Sequence, residues 1–149
     1  MKKTFLLLSF LTLSTLATNC SKAEQTPTAQ DTLDPQLIEG MQSTASGLHY
    51  EVITQGEGNS PTVNDKVTVH YTGTFPNGKV FDSSVERGTP STFRLNQVIA
   101  GWTEGLQLMK TGAKYKFVIP GKLAYGKRGH AVIPPNATLI FEVELISIN

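Results

Sequence analysis

The sequence predicts an α+β fold, a mostly antiparallel sheet with one short helix, behind a signal and a linker. Three observations predict it. Four segments between Leu48 and Ile148 alternate apolar and polar residues, the mark of half-buried strands. A single segment, at Trp102, repeats with helical spacing. Before Gly47 the chain shows an apolar run and then polar, low-complexity sequence.

The N-terminus begins with Lys2 and Lys3, followed by an apolar run from Phe5 to Leu16. That run is too short to cross a bilayer core of about 30 Å and fits a secretory signal, assigned to residues 1–19. Residues 20–46, rich in Thr, Gln, Ala and Asp, read as a flexible linker. Within it, "LDPQLIEGM" is expected to form a helical turn or two, with Asp34 as cap and Pro35 at the first helical position. The folded domain is assigned to residues 47–149.

Within the domain, "LHYEVITQG" puts Leu48, Tyr50 and Val52 on one face and stops at Gly56 and Gly58. "DKVTVHYTGTF" alternates Val67, Val69 and Tyr71 with Thr68, His70 and Thr72. "PNGK" reads as a turn through Asn-Gly. "AKYKFVIP" alternates Tyr115, Phe117 and Ile119 with Lys114, Lys116 and Val118, and "TLIFEVELISI" aligns Leu139, Phe141, Val143 and Leu145. In "WTEGLQLMK", Trp102, Leu106 and Met109 share a helix face, and Gly112 reads as the stop. Leu106 and Met109 are expected in the core. Trp102, the only tryptophan, is expected at the core's rim as the floor of a pocket. Lys110, Lys114 and Lys116 read as a solvated face.

Composition narrows the function. The 149 residues carry a formal net charge of +1, so no field favours nucleic acid. Cys20 is the only cysteine, which rules out an intrachain disulfide and a cysteine-rich zinc site. His49, His70 and His130 share no ligand-like spacing. No metal or cofactor is expected. There is no Ser-His-Asp pattern and no phosphate loop.

Three stretches, "VTVHYTGTFPNGKVFDSS", "TFRLNQVIAGWTEGLQLMKTGAKYKFVIPGKLAYG" and "IPPNATLIFEVELISIN", closely resemble the FKBP-type peptidyl-prolyl cis-trans isomerases. The resemblance covers Gly47 to Asn149, and the signal and linker are similar to those of secreted bacterial members. It implies an antiparallel half-barrel sheet wrapped around one short helix, with an apolar pocket between them. It carries catalytic roles onto Tyr71, Phe81, Asp82 and Tyr125, and substrate contacts onto Phe93, Val98, Ile99, Trp102, Ile133 and Phe141. The Ile99 N–H and the Tyr125 hydroxyl would donate to substrate carbonyls. Asp82 would either hold the Tyr71 hydroxyl or face the amide carbonyl. Gly101 would let the chain turn before the helix.

Two departures stand out. The loop "GKRGHAVIPPNAT" is a residue shorter than in many members, which leaves the role of His130 open. Ser91 stands where many members carry an aromatic, so either Phe93 takes over that wall or the pocket is more open there.

The resemblance also implies activity on proline-containing polypeptides during folding outside the cytoplasm, and binding of the family's macrolide inhibitors. The N-terminus is similar to a lipoprotein signal, with lipidation expected at Cys20 despite Ala17 and Asn19 at less favoured positions. Ser21 then points to the outer membrane, with the domain in the periplasm; the alternative is cleavage near Ala17 and a free Cys20. Taken alone, Val98, Phe117 and Phe141 would be read as core and Asp82 as a turn residue. The competing function is a non-catalytic proline-binding or holdase module. It is disfavoured because Tyr71, Phe81, Asp82, Trp102, Tyr125 and Phe141 are all present, and because no separate flap lies between Tyr125 and Ile140.

Overall fold

The computed structural model describes residues 33–149, so the expected signal, Cys20 and the first part of the linker lie outside the described residues. Helix α1 (Pro35–Ile38) is one turn, capped as expected: the Asp34 carboxylate accepts from the Gln36 N–H at 2.9 Å. There follow β1 (Gln42–Ser43), β2 (His49–Thr54), β3 (Lys66–Thr74), β4 (Val80–Ser83), β5 (Ser91–Arg94), α2 (Ala100–Gln107), β6 (Lys114–Ile119) and β7 (Leu139–Ile148). The stretch expected as linker thus contributes a strand, with Gln42 and Ser43 pairing with Tyr50 and His49.

All strand pairs are antiparallel. The seven strands run in the order β1-β2-β6-β7-β3-β4, with β5 also on β3. β4 takes the end of β3 from Thr72 to Thr74, and β5 takes Lys66 to Val69 along the same edge. The sheet stays open, as a half-barrel requires.

Alternation along the strands decides what is buried. Val67, Val69, Leu139, Val143 and Leu145 are fully buried, and Tyr71 and Phe141 nearly so. Each such aliphatic side chain stabilises the fold by about 1.5–3 kcal/mol against leaving it in water. β6 departs from the expected pattern. Val118, expected to face solvent, is fully buried beside Phe117, so both faces of the sheet are covered at this end.

Helix α2 lies against β6 with Gly101, Trp102, Gly105 and Leu106 buried. Gly101 is not a turn residue before the helix but lies inside it. A Cβ there would sit 2.5 Å from Ile119 Cγ2, and one at Gly105 2.7 Å from Phe117 Cε1. The two glycines are four apart and so share a helix face, letting the backbone approach the strand. Gly112 is not the helix stop either. α2 ends at Gln107 with Leu108 still in right-handed geometry. Gly112, at φ +86°, turns the chain into β6 and donates to the Leu145 carbonyl at 2.7 Å.

Candidate functional site

A cavity of about 400 Å³ opens between α2 and the β3–β4 corner of the sheet. It is lined by Tyr71, Phe81, Asp82, Phe93, Gln97, Val98, Ile99, Trp102, Tyr125 and Phe141. The register explains the gathering. Gly73 pairs with both Asp82 and Phe141, and with no side chain of its own it leaves room for aromatic rings from either neighbour. A Cβ at Gly73 would lie 2.5 Å from Phe81 Cζ and 2.8 Å from Phe141 Cε1.

Trp102 joins this lining from α2 and is nearly fully buried. Its ring meets Tyr71, Phe93 and Phe141 edge to face or nearly so, with centroids 5.2, 5.5 and 5.3 Å away. Phe81 stands edge-on to Phe141 at 5.5 Å. Such geometry sets the positive ring edge against the negative face and adds about 0.5–1.5 kcal/mol per pair beyond burial. Among the described residues the buried indole N–H has no hydrogen-bond partner, a cost of about 1–3 kcal/mol that the surrounding rings must offset. Phe93 supplies the wall on the Ser91 side. Ser91 itself turns to Arg87, whose Nη2 donates to its hydroxyl at 3.4 Å.

The one carboxylate of the lining is tied down. The Tyr71 hydroxyl donates to Asp82 Oδ2 at 2.5 Å. Arg87 pairs with Asp82 Oδ1, donates to the Tyr71 hydroxyl at 3.1 Å, and lies 5.7 Å over the Tyr71 ring. Of the two roles considered for Asp82, holding the Tyr71 hydroxyl is the one this geometry adopts. Burial works to raise the Asp82 pKa, but the hydrogen bonds from Tyr71 and Arg87 and the guanidinium charge outweigh it and hold the carboxyl below its ordinary value. Burial, then the hydrogen bond to Asp82, pushes the Tyr71 hydroxyl up. Burial, then the Asp82 charge, does the same to Tyr125.

At the start of α2, the Ile99 carbonyl accepts from Trp102 and Thr103 N–H at 2.9 and 3.1 Å, while the Ile99 N–H donates to no backbone carbonyl among the described residues. That leaves a donor at the cavity rim. Tyr125 also lines the cavity, stacked on His130 with centroids 5.0 Å apart.

Ile133 is not brought to the lining. It is buried in the core, and its N–H and carbonyl bond back to His130 at 2.8 and 2.9 Å, closing the loop beneath Tyr125. Two residues went unforeseen. Gln97 lines the cavity, yet an exposed amide in a short turn carries no pattern. Arg87 could have been suspected as a cation five residues past Asp82, across a turn. Among the described residues no group of three His, Cys, Asp or Glu could hold a metal ion.

Comparison with known proteins agrees with this geometry. Residues 57–146 match the model of the FKBP-type peptidyl-prolyl cis-trans isomerase family. The chain is 59% identical over 110 residues to the FKBP-type peptidyl-prolyl cis-trans isomerase FkpA of Aeromonas hydrophila, covering 74% of this chain and 41% of that one. It is 57% identical over 111 residues to the FKBP-type 22 kDa isomerase of Escherichia coli, covering 74% and 54%. The chain thus spans about half the length of the curated relatives it matches. Among solved structures, FkpA from Escherichia coli superposes with a TM-score of 0.72 at 50% identity, covering 74% of this chain and 52% of that one. A Pseudomonas syringae peptidyl-prolyl isomerase superposes at 0.69 and 44%, covering 74% and 81%. Aromatic cavity, sheet order and sequence agree, and the chain belongs to the FKBP-type peptidyl-prolyl cis-trans isomerase family.

Proposed function

We propose that the protein is a peptidyl-prolyl cis-trans isomerase acting on proline-containing polypeptides. The observation that carries this reading is the aromatic cavity over Trp102, whose one carboxylate is already neutralised by Arg87. Rotation about an X–Pro bond meets a barrier of about 18–20 kcal/mol from lost C–N resonance. No bond to a heavy atom forms or breaks, so a nucleophile has no part in it. The twisted amide has lost amide polarity and leaves water more readily than the planar one, so a dry, apolar site favours it. A thousand-fold to million-fold acceleration corresponds to about 4–8 kcal/mol. The Ile99 N–H and the Tyr125 hydroxyl orient the substrate carbonyls, and Tyr71, fixed by Asp82 and Arg87, keeps its wall in place. Binding of the family's macrolide inhibitors in the same cavity is part of this proposal.

A protease-free isomerisation assay on an X–Pro peptide tests this. The full chain should be active, with kcat/KM flat between pH values above 3.8 and below 10.0, the ordinary aspartate and tyrosine values. Asp82 is lowered, so its contribution persists as pH falls to the ordinary value and is lost only below it. Tyr71 is raised, so its hydroxyl keeps its proton past the ordinary value. Background activity over a wide enzyme range would sink the reading, and a bend inside that window would take the pH limits away from Asp82 and Tyr71.

We also propose export and anchoring to the outer membrane through acyl chains on Cys20. The support is the Lys2-Lys3 start, the apolar run and the single cysteine behind it. One acyl chain holds only marginally, so stable attachment needs several. Cys20→Ser should shift the protein from the membrane to the soluble fraction at unchanged specific activity. A wild type that is soluble and takes up no labelled fatty acid would refute the anchor.

A further inference from the structure

A second cavity, of about 340 Å³, adjoins the first and shares Phe93, Gln97 and Val98 with it. Its remaining lining is Lys66, Thr92 and Arg94. Lys66 and Arg94 are register partners across β3 and β5, and both are exposed. Two cations side by side repel; the Asn149 main chain pairs with that of Lys66 at 2.8 and 3.2 Å, and no side-chain carboxylate among the described residues bridges to either cation. Among the described residues the ion pairs are Arg87–Asp82 and Lys114–Glu142, so neither Lys66 nor Arg94 has a carboxylate partner. Asp65, next to Lys66 in sequence, is turned back onto Thr62, accepting from its N–H and hydroxyl at 2.7 and 2.9 Å. The lining of this cavity contains no acid.

We propose that this cavity is a subsite for an acidic side chain flanking the X–Pro bond, so that the enzyme favours proline segments carrying Asp or Glu. The proposal rests on the isomerase reading for the proline position and adds a specificity to it. An extended chain advances about 3.3–3.6 Å per residue. A side chain two or three residues from the proline therefore starts about 7–10 Å away, which carries it over the shared wall of Phe93, Gln97 and Val98. There a carboxylate meets two positive charges and the Gln97 amide, while its methylenes lie on Phe93 and Val98. A basic side chain at the same place meets like charge. The site is open to solvent, so the preference is modest and depends on salt.

The test uses the full chain and one parent X–Pro peptide, with Glu, Gln or Lys placed in turn at each of three positions on either side. At low ionic strength the Glu peptide should exceed its Gln counterpart in kcat/KM by about two- to fivefold at one or more positions, with the Lys peptide below both. The ratio should fall toward one above about 0.1 M salt, where the Debye length is near 10 Å. It should also fall to one in the Lys66→Gln/Arg94→Gln double variant. Equal Glu and Gln values at every position at low salt would overturn the subsite. A preference that survives in the double variant would overturn its assignment to these two residues. Failure to turn over the parent peptide counts against the isomerase reading alone. Peptide affinities read from Trp102 emission would then decide the subsite by the same Glu-to-Gln ratio.

Discussion

Phe117→Ala should lower the unfolding free energy by about 3–5 kcal/mol. Phe117 is the largest fully buried side chain of the domain and fixes where α2 lies. Its ring fills the space that a side chain at position 105 would take, with Cε1 only 2.7 Å from the place of a Cβ. Gly105→Ala in the native background should therefore destabilise by about 1–3 kcal/mol through overpacking, although alanine is the better helix former by about 1 kcal/mol. In the Phe117→Ala background the sign reverses. The added methyl enters vacated space, and the helix propensity gain is then unopposed. The double variant should be more stable than Phe117→Ala alone, with a coupling above about 1 kcal/mol. Urea unfolding of the four proteins measures this cycle. Strict additivity would mean that Gly105 is not there to admit the ring.

Much of this arrangement is written in short-range pattern. β3 and β7 are nine and ten residues long with one apolar face, so period-two alternation exposes them, and the Asn77-Gly78 pair marks its turn because glycine admits the left-handed φ of +83° found there. β5 and β1 escape because four or two residues cannot display a period; their register on β3 and β2 is set by tertiary pairing. Gly101 escapes for a related reason. A glycine at a helix start looks like a turn residue, and only the Ile119 and Phe117 side chains opposite reveal a need for close approach. In the site, long motifs gave the aromatic residues and Asp82. Arg87 has no periodic context, and its bonds to Tyr71 and Asp82 exist only once the turn after β4 folds back. Ile133 is the opposite case: a position taken from the motif whose side chain is buried but does not line the cavity.

Trp102→Leu should separate activity from stability. The indole lines the cavity and meets Tyr71, Phe93 and Phe141 at steep interplanar angles, and on the proposed reading it is the flat base. Leucine keeps an apolar contact but loses the platform on which a proline ring would lie. If two ring methylenes lose their cover, at about 0.8 kcal/mol each, kcat/KM should fall by about tenfold or more. Stability should change less than in an ordinary large-to-small core truncation, which costs about 3–5 kcal/mol. The substitution creates a gap, yet it also deletes a buried N–H that has no partner among the described residues, whose burial costs about 1–3 kcal/mol. The two terms oppose. Unfolding followed by far-ultraviolet circular dichroism, which needs no tryptophan, reads the stability, and the protease-free assay reads the activity. A large loss of stability with kcat/KM preserved would reverse the assignment. Trp102 would then be a core residue that happens to border the cavity, and the substrate would lie on Phe81 and Phe141 instead.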